Sequence, residues 1–236
     1  MVVAGVDGAR GGWIAVLAEL PRRGPPRVLA VELLPRLKDL LARELAPKVV
    51  ALDLPLGLAN HAEPGGRGCD RAARALLGRR ASSVFSPPCR AALRARDYRA
   101  ACRANAASSP HGLMLSKQCW HLFPRLREAD SLVAGAGGEL FHESHPELAF
   151  LRLAGGRSLP PKKTATGLAR RRALLRRASL GAVFTLAPAR GGWREDDLLD
   201  AAALVLTAAH IARGSAHCLP EDPPEDARGI PMRVYY

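Results

Sequence analysis

The amino-acid sequence predicts an α/β protein built on a mixed β-sheet. Three strands come first, at Val2–Asp7, Trp13–Glu19 and Arg27–Leu34, and each is a short apolar or alternating run between glycine or proline turns. An amphipathic helix is predicted from Pro35 to about Leu45, followed by the wholly apolar strand Lys48–Asp53. Two hairpins and then a crossover helix place the fourth strand parallel to the first, so the sheet contains both kinds of pairing.

The rest of the chain is predicted to be an insertion followed by a helical half. From Leu54 to about Pro110, prolines and arginines interrupt the pattern over a length that favours a functional insertion on one face of a single domain, residues 1–236. The remaining predicted elements are helices near 70–77, 91–104, 113–133, 146–153, 164–179 and 195–212, a fifth strand at 139–143 and a β-like tail at 229–236.

Composition and charge indicate a globular protein with an anionic partner. Of 236 residues, 48% are hydrophobic and 24% are charged, which excludes wholesale disorder. The net charge of +13 favours nucleic acid as the partner, although the arginine-rich composition also fits the mutational bias of a GC-rich genome. Because the five cysteines form no CxxC pair and no apolar run has the roughly 18 residues of a membrane span, we expect a cytoplasmic protein without a membrane partner.

Acidic residues stand at the ends of elements that the predicted topology brings together. Asp7 closes strand one and Asp53 closes the parallel strand four, at the sheet edge where α/β proteins build their sites. On the last long helix, Asp197 and Asp200 are three residues apart and share a face, and Asp196 with Asp200 is the second choice. Converging carboxylates repel each other unless a cation lies between them, and their hard oxygens suit Mg²⁺ or Mn²⁺. Alternatively, each acid serves only its local turn or helix end.

Several segments are similar to those of one protein family. They are GVDGARGGW, LDLPLGL, GCDRAARALLGRRASSVFSPP, HESHPELAF, DDLLDAAAL and GIPMRVYY, and they span the chain nearly from end to end. These segments resemble the prokaryotic family of predicted RNase H-like nucleases, also called domain of unknown function 429. The resemblance implies a ribonuclease H-like fold, with five strands in the order 3-2-1-4-5, helices on both faces, and the insertion after strand four over the active-site face.

The same resemblance implies roles for the acids. In the ribonuclease H-like superfamily, an acid on strand one, an acid on strand four and one or two acids on the last helix bind two divalent ions. The closest layout is that of Holliday-junction resolvases of the RuvC type. Carried over by position, the catalytic and metal-binding residues would be Asp7, Asp53, Asp197 and Asp200.

The segment around Glu143 leaves two interpretations open. Glu143 ends strand five beside strand four, and its place in the family motif makes it a candidate catalytic residue, as an outer metal ligand or a group that positions water. His145 could act as a general acid or base, since its unperturbed pKa is about 6.5. Alternatively, His145 and Glu147 cap the helix that begins at Pro146. The segment is not a zinc-protease HExxH motif, because its histidines are three residues apart.

Basic and hydroxyl side chains are candidate contacts to the phosphates of nucleic acid. In the segment Gly78–Pro88 guanidinium and hydroxyl groups stand side by side, a combination that suits phosphate binding. A second basic patch begins at Lys162 and continues into an arginine-rich helix, and both segments could alternatively be solvated surface. The candidate substrate-binding residues are Arg10, Arg79, Arg80, Ser82, Ser83, Lys162 and Lys163.

Three functions compete for this sequence. The first is a nuclease that depends on Mg²⁺ or Mn²⁺ and hydrolyses phosphodiester bonds of DNA or RNA. The second is a catalytically silent adaptor that binds nucleic acid or protein on the same fold. The third is an actin-like nucleotide-binding or phosphotransfer protein, for which a convincing second phosphate loop is missing. We expect the nuclease, and a resolvase-like role would further require a homodimer.

Overall fold

A mixed five-stranded sheet is the frame of the protein, whose computed structural model describes residues 1–137, 139–189 and 191–236. Its strands are β1 (Val2–Ala9), β2 (Gly12–Glu19), β3 (Arg27–Leu34), β4 (Val49–Leu52) and β5 (Phe141–Glu143). Strand β2 is antiparallel to β1 and β3, whereas β4 is parallel to β1 and β5. The order β3-β2-β1-β4-β5 confirms the predicted strand order of the ribonuclease H-like fold.

Helices form most of the remaining regular structure. The α-helices are α1 (Gly68–Leu77), α2 (Tyr98–Ala107), α3 (Lys117–His121), α4 (Phe123–Leu132), α5 (Pro146–Leu153), α6 (Ala165–Arg177), α7 (Val183–Leu186) and α8 (Glu195–Ala212). Short 3-10 helices at Leu37–Leu40, Gly78–Ser83 and Ala92–Arg94, a π-helical turn at Val133–Gly137, and the two-residue strands β6 (Cys218–Leu219) and β7 (Val234–Tyr235) are the other elements. Within the described ranges, none of the helices combines the length and the hydropathy of a membrane span.

The chain divides into two units. The first unit comprises Met1–Leu54, Glu139–His217 and Tyr235–Tyr236, and the second unit comprises Pro55–Gly138 and Cys218–Val234. The first unit contains the five-stranded sheet and helices α5 to α8, whereas helices α1 to α4 belong to the second unit. The single domain predicted over residues 1–236, with an insertion at about 54–110, stays a prediction.

Two predicted helices are shorter than expected. In place of the helix Pro35–Leu45 the structure has only the 3-10 turn Leu37–Leu40, whose two leucines are fully buried. The predicted core leucines after this turn, Leu41 and Leu45, are 38% and 56% exposed, so little apolar burial favours continuing the helix. The helix predicted from Leu113 to Val133 is divided into α3 and α4, and Pro124 lies in the first turn of α4, where proline is tolerated.

The core of the first unit lies between the sheet and helices α5 to α8. Side chains alternate along β1, so Gly5, Asp7 and Ala9 share the face that α8 covers. Gly5 makes this close packing possible. A Cβ at Gly5 would lie 2.1 Å from the carbonyl oxygen of Ala201 and 2.5 Å from the backbone nitrogen of Val205, both in α8.

A buried carboxylate joins two segments of the second unit. Asp226 accepts the backbone N–H groups of Leu58, Arg228 and Ile230 at 2.9, 2.8 and 3.1 Å, and it forms an ion pair with Arg90. Burial alone would raise the pKa of Asp226, but the three N–H groups and Arg90 lower it below its usual value. These bonds join the tail segment of the second unit to the segment that follows β4.

We expect Gly5→Ala to destabilise the protein by about 3 kcal/mol, because the added methyl group would push α8 away from the sheet. Urea denaturation followed by circular dichroism measures the change. Gly68→Ala is the matched control, since a Cβ at this position of α1 would meet nothing within 4 Å and should leave stability unchanged or slightly higher. A Gly5→Ala protein as stable as the wild type would show that α8 packs less tightly on β1 than described.

Candidate metal centre

Asp7 and Asp53 meet at the carboxyl edge of the sheet. Val6 of β1 pairs with Leu52 of β4 in parallel register, so Asp7 and Asp53 are the next residues on the two strands. The N–H of Asp53 donates to the carbonyl of Val6 at 3.0 Å, which extends the pairing one residue beyond β4. Because side chains alternate, both carboxyl groups lie on the face that packs against α8. Asp7 also accepts the N–H of Gly8 at 2.6 Å, so it orders its turn as well.

Helix α8 carries a buried carboxylate to the same place. Asp200 is 2% exposed and directly precedes Ala201, whose carbonyl oxygen packs against Gly5. Because Asp7 is two residues beyond Gly5 on the same face of β1, the contact at Gly5 places Asp200 close to Asp7. Several effects raise the pKa of Asp7: burial is the largest, the charge of Asp53 is second, and the charge of Asp200 is third.

The first turn of α8 distinguishes the two neighbouring aspartates. Oδ2 of Asp197 accepts the N–H of Arg194 at 2.8 Å and thereby caps the helix. Asp196 instead forms an ion pair with the Arg194 side chain at 3.3 Å. The pKa of Asp7 responds to the charge of Asp197. Asp197 and Asp200, three residues apart, thus both raise the pKa of Asp7, and their joint role as ligands stays a prediction.

Burial and mutual repulsion disfavour the charged forms of these carboxyl groups. The pKa of Asp7 is raised well above its usual value, chiefly by burial and then by Asp53 and Asp200. Burial also raises the pKa of Asp53, although a side-chain hydrogen bond from Asp7 works in the opposite direction. The pKa of Asp200 rises to about 7 through burial, against the lowering effect of Lys162. We call Asp7, Asp53, Asp197 and Asp200 the acidic cluster.

The structure places Lys162 inside the acidic cluster. Its Nζ donates to Oδ2 of Asp200, and the two side chains form an ion pair. The side chain of Lys162 is 33% exposed. Although burial opposes the ammonium charge, Asp200, Asp7 and Asp53 together raise the pKa of Lys162. The sequence predicts Lys162 in a basic surface patch, whereas the structure puts its ammonium among carboxylates. The sequence pattern does not predict the pairing of Lys162 with Asp200, because the two residues are 38 positions apart.

Helices α5 and α6 hold Lys162 in place. The fully buried Arg171 of α6 donates to the carbonyl of Pro160 at 2.9 Å, which fixes the turn that carries Lys162. Arg171 is itself anchored by two hydrogen bonds to the carboxylate of Glu147, at 2.7 and 2.9 Å. The sequence does not single out Arg171, since one more arginine in an arginine-rich helix has no distinguishing pattern.

Glu143 does not join the acidic cluster. Strand β5 pairs with β4 so that Glu143 stands opposite Leu52, and paired residues on parallel strands point to the same face. Leu52 immediately precedes Asp53, so the two side chains point to opposite faces. The buried Glu143 therefore lies on the other side of the sheet from the aspartates. Its role as an outer metal ligand or a water-positioning group stays a prediction, for a residue that this register places away from the four aspartates.

His145 and Glu147 have local structural roles. His145 is the N-cap residue of α5, and its Nδ1 accepts the N–H of Glu147 at 3.2 Å. Glu147 is buried in its ion pair with Arg171. His145 also lies close enough to Asp53 for its charge to lower the pKa of that carboxyl, against the effect of burial. The helix-capping interpretation thus describes His145, which lies next to the acidic cluster, whereas the carboxylate of Glu147 pairs with Arg171.

The predicted substrate-binding residues fall in both units. The first unit contains Arg10, Lys162 and Lys163, and the second contains Arg79, Arg80, Ser82 and Ser83. Arg10, in the turn between β1 and β2, and Lys163 are both exposed. In the 3-10 helix Gly78–Ser83, Oγ of Ser83 donates to the carbonyl of Arg80 at 2.7 Å, so this hydroxyl group satisfies its own turn. Phosphate contacts by these residues stay predictions.

Solved structures of RuvC are similar to this chain. One, described as the Thermus thermophilus RuvC structure, is 17% identical with a TM-score of 0.43, over 91% of this chain and 98% of that one. T. thermophilus RuvC in complex with Holliday junction substrate is 16% identical with a TM-score of 0.42, over 91% and 97% of the two chains. Similarities as weak as these carry no argument about activity. None of the curated proteins compared with the chain is significantly similar to it.

A protein-family model covers most of the sequence. It matches residues 5–225, a range that includes all four members of the acidic cluster and Lys162. The family is described as a protein of unknown function, so membership itself assigns no reaction. Since the match spans far more than half of the 236 residues, the chain belongs to the DUF429 family.

Proposed function

We propose that this protein is a nuclease that uses divalent metal ions to hydrolyse phosphodiester bonds of nucleic acid. The observation that carries the proposal is the convergence of the acidic cluster at the carboxyl edge of parallel strands, with the pKa of every member raised by burial. Four carboxylates in that arrangement destabilise the fold unless protons or a cation neutralise them. An arrangement that opposes stability in this way is typical of a functional site.

The donor set of the acidic cluster fits Mg²⁺ or Mn²⁺, because it consists of carboxylate oxygens. Strand pairing fixes the backbone positions of Asp7 and Asp53, and the packing of α8 on Gly5 fixes that of Asp200. Rotation of the side chains would bring their carboxylates onto one ion. Divalent ions bound there would supply an activated water and stabilisation of the leaving oxygen of a phosphodiester.

Lys162 sets the charge balance of the proposed centre. With the four aspartates ionised and Lys162 protonated, the formal charge is four negative plus one positive, or −3. A cation that binds to Asp200 has to compete with the ammonium of Lys162. Once released from Asp200, that ammonium would be available to a phosphate of the substrate. This exchange would reconcile the observed ion pair with the predicted role of Lys162 in substrate binding.

The charge of the whole chain supports nucleic acid as the substrate class. Thirteen excess positive charges favour binding to a polyanion through its phosphates, independently of base sequence. The proposal includes DNA or RNA as the polymer and a cytoplasmic location.

A catalytically silent binding protein is the second candidate. The ion pair between Lys162 and Asp200 is the observation that favours it, because a lysine can partly neutralise the acidic cluster without any metal. The two candidates differ in whether a divalent ion binds at Asp7, and the next two predictions, which measure Mn²⁺ binding, separate them.

We expect Mn²⁺ to raise the melting temperature of the wild-type protein. At a hundredfold excess over its dissociation constant, a ligand that binds only the folded state stabilises it by about 2.7 kcal/mol, which corresponds to a shift of several degrees. Asp7→Asn should abolish this shift together with any cleavage of a labelled oligonucleotide. Without metal, Asp7→Asn should be at least as stable as the wild type, because one repelling charge is gone.

Asp222→Asn is the control for this experiment, since it removes one exposed carboxylate and should keep the Mn²⁺ shift. If Mn²⁺ never stabilises the wild type and Asp7→Asn is strongly destabilised, Asp7 is a turn residue and the nuclease proposal falls.

Lys162→Met should bind Mn²⁺ more tightly than the wild type, by about tenfold or about 1.4 kcal/mol, because no ammonium competes for Asp200. In EDTA the same variant should melt at a lower temperature, since the buried carboxylate has lost its partner. Lys163→Met removes an equal charge from the exposed neighbouring residue and should change neither quantity. Isothermal titration and thermal melts measure both. Unchanged Mn²⁺ affinity in Lys162→Met would exclude the exchange at Asp200.

Asp200 should give the metal-free protein a characteristic pH dependence. Its pKa rises from about 4 in an unfolded chain to about 7 in the fold, so the folded state binds the proton more tightly. The stabilising contribution is full below about pH 4 and is lost as the pH rises to about 7. In EDTA the wild type should therefore lose stability over this window relative to Asp200→Asn, as measured by urea denaturation. Parallel curves would show that Asp200 does not titrate there.

A further inference from the structure

The second unit contains a cavity of about 470 Å³ whose wall is rich in arginine. Arg90, Arg94, Arg127 and Arg228 line it, together with the carboxylate of Asp130. We call it the arginine cavity. It lies outside the acidic cluster and uses none of the residues that the sequence predicts to bind substrate.

Two of these arginines are neutralised by the protein. Arg90 forms ion pairs with Asp130 and Asp226, and Arg228 pairs with Asp130 at 2.5 Å. Two carboxylates thus balance two guanidinium groups. The excess positive charge of the cavity belongs to the other two arginines.

Arg127 is held rigidly in the cavity wall. Its Nε donates to the carbonyl of Leu93 at 2.8 Å and its Nη2 to that of Ala95 at 2.5 Å, while the guanidinium lies 5.4 Å from the ring centre of Phe123. Among the described residues, Nη1 has no hydrogen-bond acceptor. A guanidinium fixed in this way can bind an anion without further loss of side-chain entropy.

Two more donors of the cavity are unused within the described part of the chain. The side chain of Arg94 is exposed and has no carboxylate partner there. Arg90 is only 8% exposed, and its buried Nε has no hydrogen-bond partner. A buried unsatisfied donor is unfavourable, and an oxygen of a bound anion would satisfy it.

We propose that the arginine cavity binds a phosphate of the nucleic-acid backbone, an inference that rests on the proposed function. Guanidinium groups match the oxygens of phosphate in geometry and charge. A volume of about 470 Å³ exceeds what one phosphate ion fills and suits a phosphate with its flanking sugar and base. A nucleic-acid strand also fits the spread of the positive charge over separate arginines of the cavity wall, since successive phosphates of the strand can contact successive guanidinium groups.

The test measures binding in EDTA, so that no cleavage is needed. The affinity of a fluorescein-labelled DNA duplex is determined by anisotropy over a range of KCl concentrations. Arg94→Ala should weaken binding and lower the slope of log K against log salt by about 0.9, the value for one lost phosphate contact. Arg94→Lys keeps the charge and should keep the slope. Arg103→Ala, an equal charge loss on the exposed face of α2 outside the cavity, should leave the slope unchanged.

Equal slopes for Arg94→Ala and Arg103→Ala would overturn the proposal. So would a thermal stabilisation by inorganic phosphate that Arg94→Ala abolishes while duplex binding is unaffected, because the cavity would then bind a small phosphorylated compound. The proposed nuclease function is tested by a different result: it would be wrong if Mn²⁺ did not raise the melting temperature of the wild type. A slope that Arg94→Ala lowers in EDTA would support the arginine cavity even in that case.

Discussion

The close packing of α8 on β1 at Gly5 determines where the chemistry of the first unit lies. Because Gly5 has no side chain, the backbone of the helix at Ala201 and Val205 comes against the strand. The contact fixes both the rotation and the axial position of α8. Asp200, next to Ala201, then has to lie beside Asp7, two residues beyond Gly5. The absence of a side chain at Gly5 thus allows β1, at the start of the chain, to pack closely against α8, near its end.

The acidic cluster that results opposes folding, and the surrounding residues compensate for it. The charges of Asp7, Asp53 and Asp200 raise the pKa of Lys162, which pairs with Asp200. The turn that carries Lys162 is bonded to Arg171, which is held by a carboxylate in α5. Buried ion pairs of this kind add little net stability, because desolvation offsets their attraction. Their effect here is to hold the long side chain of Lys162 at the carboxylate of Asp200.

Much of the sheet and of the acidic cluster could be predicted from the sequence, because both follow from short-range patterns. Alternating apolar runs mark β1, β2 and β3, and the apolar run after Asp200 marks α8 as a buried helix. The three-residue spacing of the helix acids is likewise local. Given parallel pairing of the first and fourth strands, the two strand acids follow at one edge.

The features that escaped prediction depend on long-range geometry. The face on which Glu143 lies follows from the register between β5 and β4, and a shift of one residue would reverse it. Lys162 reaches the acidic cluster only through the turn that Arg171 fixes. The arginine cavity collects side chains separated by more than a hundred residues, from Arg90 to Arg228. No periodicity in the sequence encodes such contacts.

The proposed reaction requires two opposite charge patterns in one protein. A carboxylate cluster is needed to hold divalent ions, yet the same cluster repels the phosphates of a nucleic acid. Bound divalent ions would reverse the sign of the field at the acidic cluster itself, but only over short distances. Attraction over longer distances has to come from other residues, and the surplus of 13 positive charges supplies it. The arginine cavity turns part of that diffuse surplus into a specific place for a phosphate, because its carboxylates neutralise only two of four guanidinium groups.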